Sequence, residues 1–157
     1  MLQGRTPREC EAGAFEAMTD SVLHTLLVED DRAYARIVQH ALRRSQPQCS
    51  VCHVTDGEDA LDYVYGRGRF ADRDRYPLPR LILLDLRMPR VDGFEVLREL
   101  KLDPLTREIP IVVMSSSDLA SDQKRCREYG ADLFITKPAH ITELFRKLEA
   151  IYETLAA

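Results

Sequence analysis

From Leu23 onward the chain alternates short apolar runs with segments of helical period. The first run, residues 23–28, precedes a stretch that places Tyr34, Ile37, Val38, Ala41 and Leu42 at spacings of three and four, one face of a helix. A second run, residues 49–54, passes through Thr55, Asp56 and Gly57 into a helix carrying Ala60, Leu61 and Val64. Residues 81–84 are four consecutive apolar residues, the pattern of a strand buried on both faces. Gly93 opens a third helix with Phe94, Leu97 and Leu100 inward, and Pro110 precedes a fourth strand at 111–114. A polar helix follows over about 118–129, with Gly130 placed to end it. The fifth strand is 133–136. The last helix carries Ile141, Leu144, Phe145, Leu148, Ile151, Tyr152 and Leu155, more apolar residues than one buried stripe needs.

Five strand–helix units in series predict an α/β domain with a parallel, doubly wound sheet, because each right-handed crossover must lay its helix on one face. Ligands of such sheets bind beyond the C-terminal ends of the strands. That rule selects the residues that meet: Glu29, Asp30 and Asp31 after the first strand, Asp85 after the third, Ser115, Ser116 and Ser117 after the fourth, and Lys137 and Pro138 after the fifth.

Length and composition narrow the class. The 157 residues suit one domain, and 45% hydrophobic with 31% charged residues excludes a collagenous, low-complexity or wholly disordered chain. A formal net charge of -4 is too acidic for a general basic field, so nucleic acid is not an expected partner. No apolar run approaches the ~18 residues of a membrane span, and the first twenty residues lack a signal peptide's apolar centre. No membrane partner and a cytoplasmic location are therefore expected. Residues 1–21 show no trustworthy period and read as a flexible extension, with Met18 a second candidate start; a domain over 22–155 follows. Cys10, Cys49, Cys52 and Cys126 read as cytosolic thiols. Cys49 and Cys52 have the spacing of a redox or metal pair, but they lead into an extended run and no second pair completes a zinc site.

Carboxylates forced together repel unless a cation joins them, and an oxygen-rich cluster suits Mg²⁺. Asp85, ending the most apolar strand, is the natural nucleophile for an acyl phosphate. Lys137 would pair with phosphoryl oxygens and Ser115 could donate a hydrogen bond to one. Taken singly, each residue has a plainer use. The acidic run could start a helix, Lys137 could be a surface lysine, and the serines could be a polar loop. Their joint placement at four strand ends is what favours phosphoryl chemistry.

LLVEDD (26–31), LILLDLRMPRVDGFEVL (81–97), IPIVVMSSS (109–117) and LFITKP (133–138) resemble the motifs of response-regulator receiver domains of two-component signalling, in the family's order and separation. The resemblance implies a flavodoxin-like (βα)5 fold with strand order 2-1-3-4-5. It implies that Asp85 is the phosphoacceptor, and that Mg²⁺ is held by Asp30, Asp85 and the backbone carbonyl of Arg87, with Glu29 acting through water. Lys137 takes the place of the family's lysine, and Ser115 and Phe134 take those of the switch pair. Such a protein catalyses only its own phosphorylation and dephosphorylation and takes its phosphoryl group from a partner histidine kinase. It signals through the face made by the last two helices and fifth strand, where a homodimer could form.

The departures shape this expectation. Phe134 replaces a common Tyr, and Ser115 a common Thr. The stretch 65–80, YGRGRFADRDRYPLPR, is long for the family and reads as a solvated loop or a docking surface. It is similar to the small single-domain regulators served by phytochrome-type kinases, so a bacterial phytochrome is a candidate partner. Arg87 could lie across the phosphoryl group and slow its hydrolysis, or face solvent for kinase docking. The family pattern implies a cis Lys137–Pro138 bond, whereas base preference gives trans. Two other classes compete. A haloacid-dehalogenase-like phosphatase needs a general acid where this chain has Arg87, and a phosphorylation-independent module would not need the complete acidic, hydroxyl and lysine set.

Overall fold

The computed structural model describes residues 23–138 and 140–156. The expected extension, residues 1–21, lies outside them. Five strands, β1 (His24–Val28), β2 (Ser50–Val54), β3 (Leu81–Leu84), β4 (Ile111–Ser115) and β5 (Leu133–Thr136), alternate with α1 (Arg32–Ser45), α2 (Gly57–Tyr65), α3 (Gly93–Leu102), α4 (Ala120–Glu128) and α5 (Ile141–Ala156). The strands form one parallel sheet in the order β2-β1-β3-β4-β5, as expected from the motifs.

The four-residue apolar run of β3 is fully buried because its alternate side chains serve two cores. Ile82 and Leu84 join Leu26, Val28, Phe94, Leu97 and Leu100 on the α2–α3 side. Leu81 and Leu83 join Leu27, Val38, Leu42, Leu144 and Leu148 on the α1–α5 side. Each such side chain contributes roughly 1.5–3 kcal/mol by leaving water.

The helical phase of α1 differs from the periodicity reading. Ala35, Val38, Ala41 and Leu42 face the sheet, while Ile37 is 41% exposed and Tyr34 half-buried. The small Ala35 is fully buried against the sheet, where close approach of the helix favours a small side chain. In α5, Leu144, Leu148, Ile151 and Tyr152 are buried, and Phe145 and Leu155 pack on them half-buried. The Ile141 side chain lies outside those described.

The segment between α2 and β3 is mostly exposed, as a solvated loop would be, but Phe70 and Arg73 anchor it to α2. Gly66 ends α2 in the left-handed region at φ 65°. The Arg73 guanidinium then donates to the carbonyls of Tyr63 (2.8 Å) and Val64 (2.5 Å), satisfying helix-end acceptors, and to the loop carbonyl of Tyr76 (3.2 Å). Phe70, in a short 3-10 turn, packs against Tyr63 and Tyr76 with ring centroids 5.2 and 5.1 Å away. A guanidinium with five donors is suited to gather several carbonyls at once.

Cys49 and Cys126 are free thiols. The Cys49 Sγ donates to the Leu23 carbonyl at 3.1 Å and lies 3.1 Å from the Tyr152 hydroxyl, a half-buried polar tie between the starts of β1 and β2 and helix α5. Burial pushes its thiol pKa up, which disfavours the reactive thiolate. The expectation of four thiols fails at Cys52, which is disulfide-bonded.

Candidate functional site

The chain turns sharply after β1. Asp31 caps α1, its carboxylate accepting from the N–H groups of Ala33 (3.0 Å) and Tyr34 (3.1 Å), and so takes the plain helix-starting role. That turn leaves Glu29 only 2% exposed and Asp30 at the surface. The Glu29 N–H continues the sheet to the Val54 carbonyl at 3.0 Å. The buried His53 ring then meets the Glu29 carbonyl at 2.7 Å, and because a carbonyl only accepts, His53 Nε2 carries the proton.

Asp85 follows β3 directly, its N–H bound to the Val28 carbonyl at 3.0 Å and its side chain buried. Gly93 makes this position possible. A Cβ there would lie 2.2 Å from the Asp85 carbonyl oxygen, so α3 can begin against the Asp85 loop only with glycine. On the other side, the Lys137 N–H binds the Ser115 carbonyl at 2.7 Å, extending the β4–β5 ladder by one residue and delivering Lys137 to the same edge. Lys137 Nζ lies 2.8 Å from Glu29 Oε2 and 3.6 Å from Asp85 Oδ1.

One ammonium does not satisfy this edge. The Asp85 carboxyl is pushed up to about 7, first by burial and then by Glu29, against the opposing pull of Lys137 and of a backbone hydrogen bond from Arg87; Asp30 adds to the rise. Ligand oxygens of Glu29, Asp30 and Asp85 lie within 4.8 Å of one another. Oxygens on opposite sides of an ion with ~2.1 Å bonds stand about 4 Å apart, so the carboxylate set fits a small hard divalent cation.

The structure thus brings together Glu29, Asp30, Asp85 and Lys137. Ser115 is fully buried at the end of β4, and its hydroxyl accepts from the Ser117 N–H at 3.1 Å. Phe134 is half-buried on β5, packed against the α2–α3 core. The Arg87 side chain is exposed, as in the solvent-facing alternative, and its guanidinium holds Asp122 of α4 at 3.0 Å. No cis peptide bond occurs among the described residues, so Lys137–Pro138 is trans rather than the cis form of the family pattern. Three residues escaped the periodicity reading. His53 falls within the second apolar run, Tyr34 on the expected inner face of α1 and Asp122 within the polar helix, and apolar period says nothing about polar contacts between distant segments.

Fold, acidic edge and lysine together define a receiver domain. Residues 25–149 match the family model of the response regulator receiver domain, and the chain belongs to that family. It is similar to the probable methanogenesis regulatory protein FilR2 of Methanothrix harundinacea, 37% identical over 82% of this chain and 80% of that protein. It is also similar to response regulator Rcp1 of Synechocystis, 35% identical over 80% and 84%. Among solved structures, the phosphorylated cyanobacterial phytochrome response regulator RcpA superimposes with a TM-score of 0.78 at 37% identity, covering 86% of this chain and 94% of that one. The Mn²⁺-bound form of Rcp1 gives 0.74 at 34% identity, covering 82% and 91%. No helix of the described residues is long and apolar enough to cross a membrane.

Proposed function

We propose that this chain accepts a phosphoryl group on Asp85 from a partner histidine kinase and transmits the signal through a phosphorylation-sensitive surface. The observation that carries the proposal is the buried Asp85 carboxylate at the end of β3, facing Lys137 and two further carboxylates. Glu29, Asp30, Asp85 and the Arg87 carbonyl would hold Mg²⁺, Glu29 through water. The bound ion would neutralise the carboxylates and the incoming phosphoryl charge. The manganese-bound state of the similar Rcp1 supports a divalent ion of this kind.

In the transfer, an Asp85 oxygen attacks phosphorus, the P–O bond forms as the donor's P–N bond breaks, and the departing histidine nitrogen takes up a proton. Lys137 leaves Glu29 for a phosphoryl oxygen, and Ser115 turns its hydroxyl toward another. Space vacated by Ser115 admits Phe134, shifting the α4–β5–α5 face. That face includes a cleft of about 650 Å³ bordered by Leu133, Phe134, Ile151 and Leu155 on the outer edge of β5. It suits a protein partner, including a second copy of the chain. The similarity to RcpA, a phytochrome response regulator, makes a phytochrome-type kinase the first donor to try.

The test is incubation with Mg²⁺ and a small phosphodonor followed by intact mass. Wild type should gain one phosphoryl group, chelator should abolish the gain, and Asp85→Asn should not label. Equal labelling of Asp85→Asn would overturn the assignment. Sedimentation with and without a phosphoryl mimic tests the homodimer, which an unchanged monomer would remove.

A further inference from the structure

Tyr34 lies outside all four sequence motifs, yet it is joined to the charged groups of the site. It stands in the first turn of α1, fixed there by its N–H bond to the Asp31 cap. Lys137 Nζ lies over its ring, 4.6 Å from the centroid. Its hydroxyl oxygen is buried and has no hydrogen-bond partner among the described residues. Burial, then Glu29, then Asp85 push its pKa up to about 12, so the phenol keeps its proton throughout the neutral range.

These observations belong together. The Lys137 ammonium lies 2.8 Å from Glu29, 3.6 Å from Asp85 and 4.6 Å from the centroid of the electron-rich Tyr34 ring. A partly dehydrated ammonium gains from such a face, which restricts where the long lysine chain can place its charge. The hydroxyl is a different matter. A buried phenol without a partner is unfavourable, and unpaired polar groups of this kind persist where a further group completes them. At an edge crowded with acceptors, a phenol that stays protonated is an additional donor.

Resting on the reading of Asp85 as phosphoacceptor, we propose that Tyr34 is a positioning residue of the phosphoryl site. Its ring seats the Lys137 ammonium. Its hydroxyl donates a hydrogen bond to an oxygen that arrives when the site fills, either a water on the divalent ion or an oxygen of the phosphoryl group. The two sources share one chemistry and are separable by experiment.

Tyr34→Phe keeps the ring and removes only the hydroxyl. In metal-free protein the thermal midpoint should be unchanged or higher, because the lost group had no partner. Filled states should respond in the opposite sense. A roughly three- to tenfold weaker Mg²⁺ affinity, measured without phosphodonor, marks the ion-bound water. A similar loss in phosphorylation rate at saturating Mg²⁺, with Mg²⁺ affinity intact, marks the phosphoryl oxygen. Tyr34→Leu removes the ring as well and should slow phosphorylation further than Tyr34→Phe. If Tyr34→Phe matches wild type in both Mg²⁺ affinity and phosphorylation rate, the hydroxyl role is wrong. If Tyr34→Leu equals Tyr34→Phe, the ring role is wrong. Failure of the phosphoacceptor reading is distinct, since it appears as continued labelling of Asp85→Asn.

Discussion

Helices α3 and α4 follow adjacent strands and flank the same acidic edge, but they are attached by opposite means. Of ten residues in α3, Gly93, Phe94, Val96, Leu97 and Leu100 are buried, and Asp92 caps its start by accepting from the Glu95 N–H at 3.0 Å. Of nine in α4, only Asp122 and Cys126 are buried, and no side chain caps its start. Polar and cationic contacts take the place of apolar ones in α4: Arg87 to Asp122, and the Arg125 guanidinium over the Phe94 ring at 4.1 Å. The Asp85 loop is therefore built on a fixed platform, while the neighbouring helix is held by interactions that a change of charge can redirect. Segments with little apolar burial are the ones that open locally at low cost.

The largest effect should come from the platform. Leu97→Ala removes a fully buried side chain beneath β3 and should cost about 2–5 kcal/mol. Cys126→Ala in α4 loses a single sulfur from the same core and should cost about 1 kcal/mol or less. Denaturant titration of both variants measures the contrast directly. Equal losses would mean that α4 is anchored as firmly as α3 and would remove the basis of the comparison.

The next effect belongs to the acidic edge itself and has a definite sign. The Asp85 carboxyl is raised to about 7 in the folded chain, above the ordinary value near 4 of the unfolded one. Between these values the unfolded state releases the proton more readily, so the stability it contributes is complete below about pH 4 and is lost as pH rises through 7. The loss is on the order of a few kcal/mol. A bound divalent ion opposes it by stabilising the carboxylate. Mg²⁺ should accordingly raise the thermal midpoint much more at pH 8 than at pH 5, and Asp85→Asn should flatten the metal-free pH profile. A Mg²⁺ effect independent of pH would show that the carboxylates are not in conflict.

The same contrast explains which parts of the molecule were legible in the sequence. Strand β3 and helix α3 announce themselves through apolar runs and period, and Glu29, Asp30, Asp85 and Lys137 could be placed together because sheet topology fixes where strands end. Ile37 was misplaced on the inner face because hydrophobicity ranks it above Ala35, whereas close approach to the sheet selects the smaller residue. Arg73 read as a solvated charge because nothing in a charge run reveals that three backbone carbonyls await it. Tyr34 carries both difficulties: its spacing marks it as core, and its tie to Lys137 joins segments about a hundred residues apart.

The smallest effect is the most informative about α4. The Arg87 side chain is 62% exposed, so its bridge to Asp122 is screened and should contribute ~1 kcal/mol or less to global stability. Its position matters more than its strength, because it joins a residue two beyond Asp85 to the first turn of a helix with few other attachments. Asp122→Asn keeps the size of the side chain and removes its charge. Hydrogen exchange should then accelerate across α4 by severalfold while α3 amides remain protected, with the denaturation midpoint nearly unchanged. Arg87→Asn should reproduce this from the other end of the bridge, and the double variant should add little, since both substitutions break one interaction. Additive effects, or acceleration spread equally over α3 and α4, would show that the two residues act separately and that α4 is held by something other than this pair.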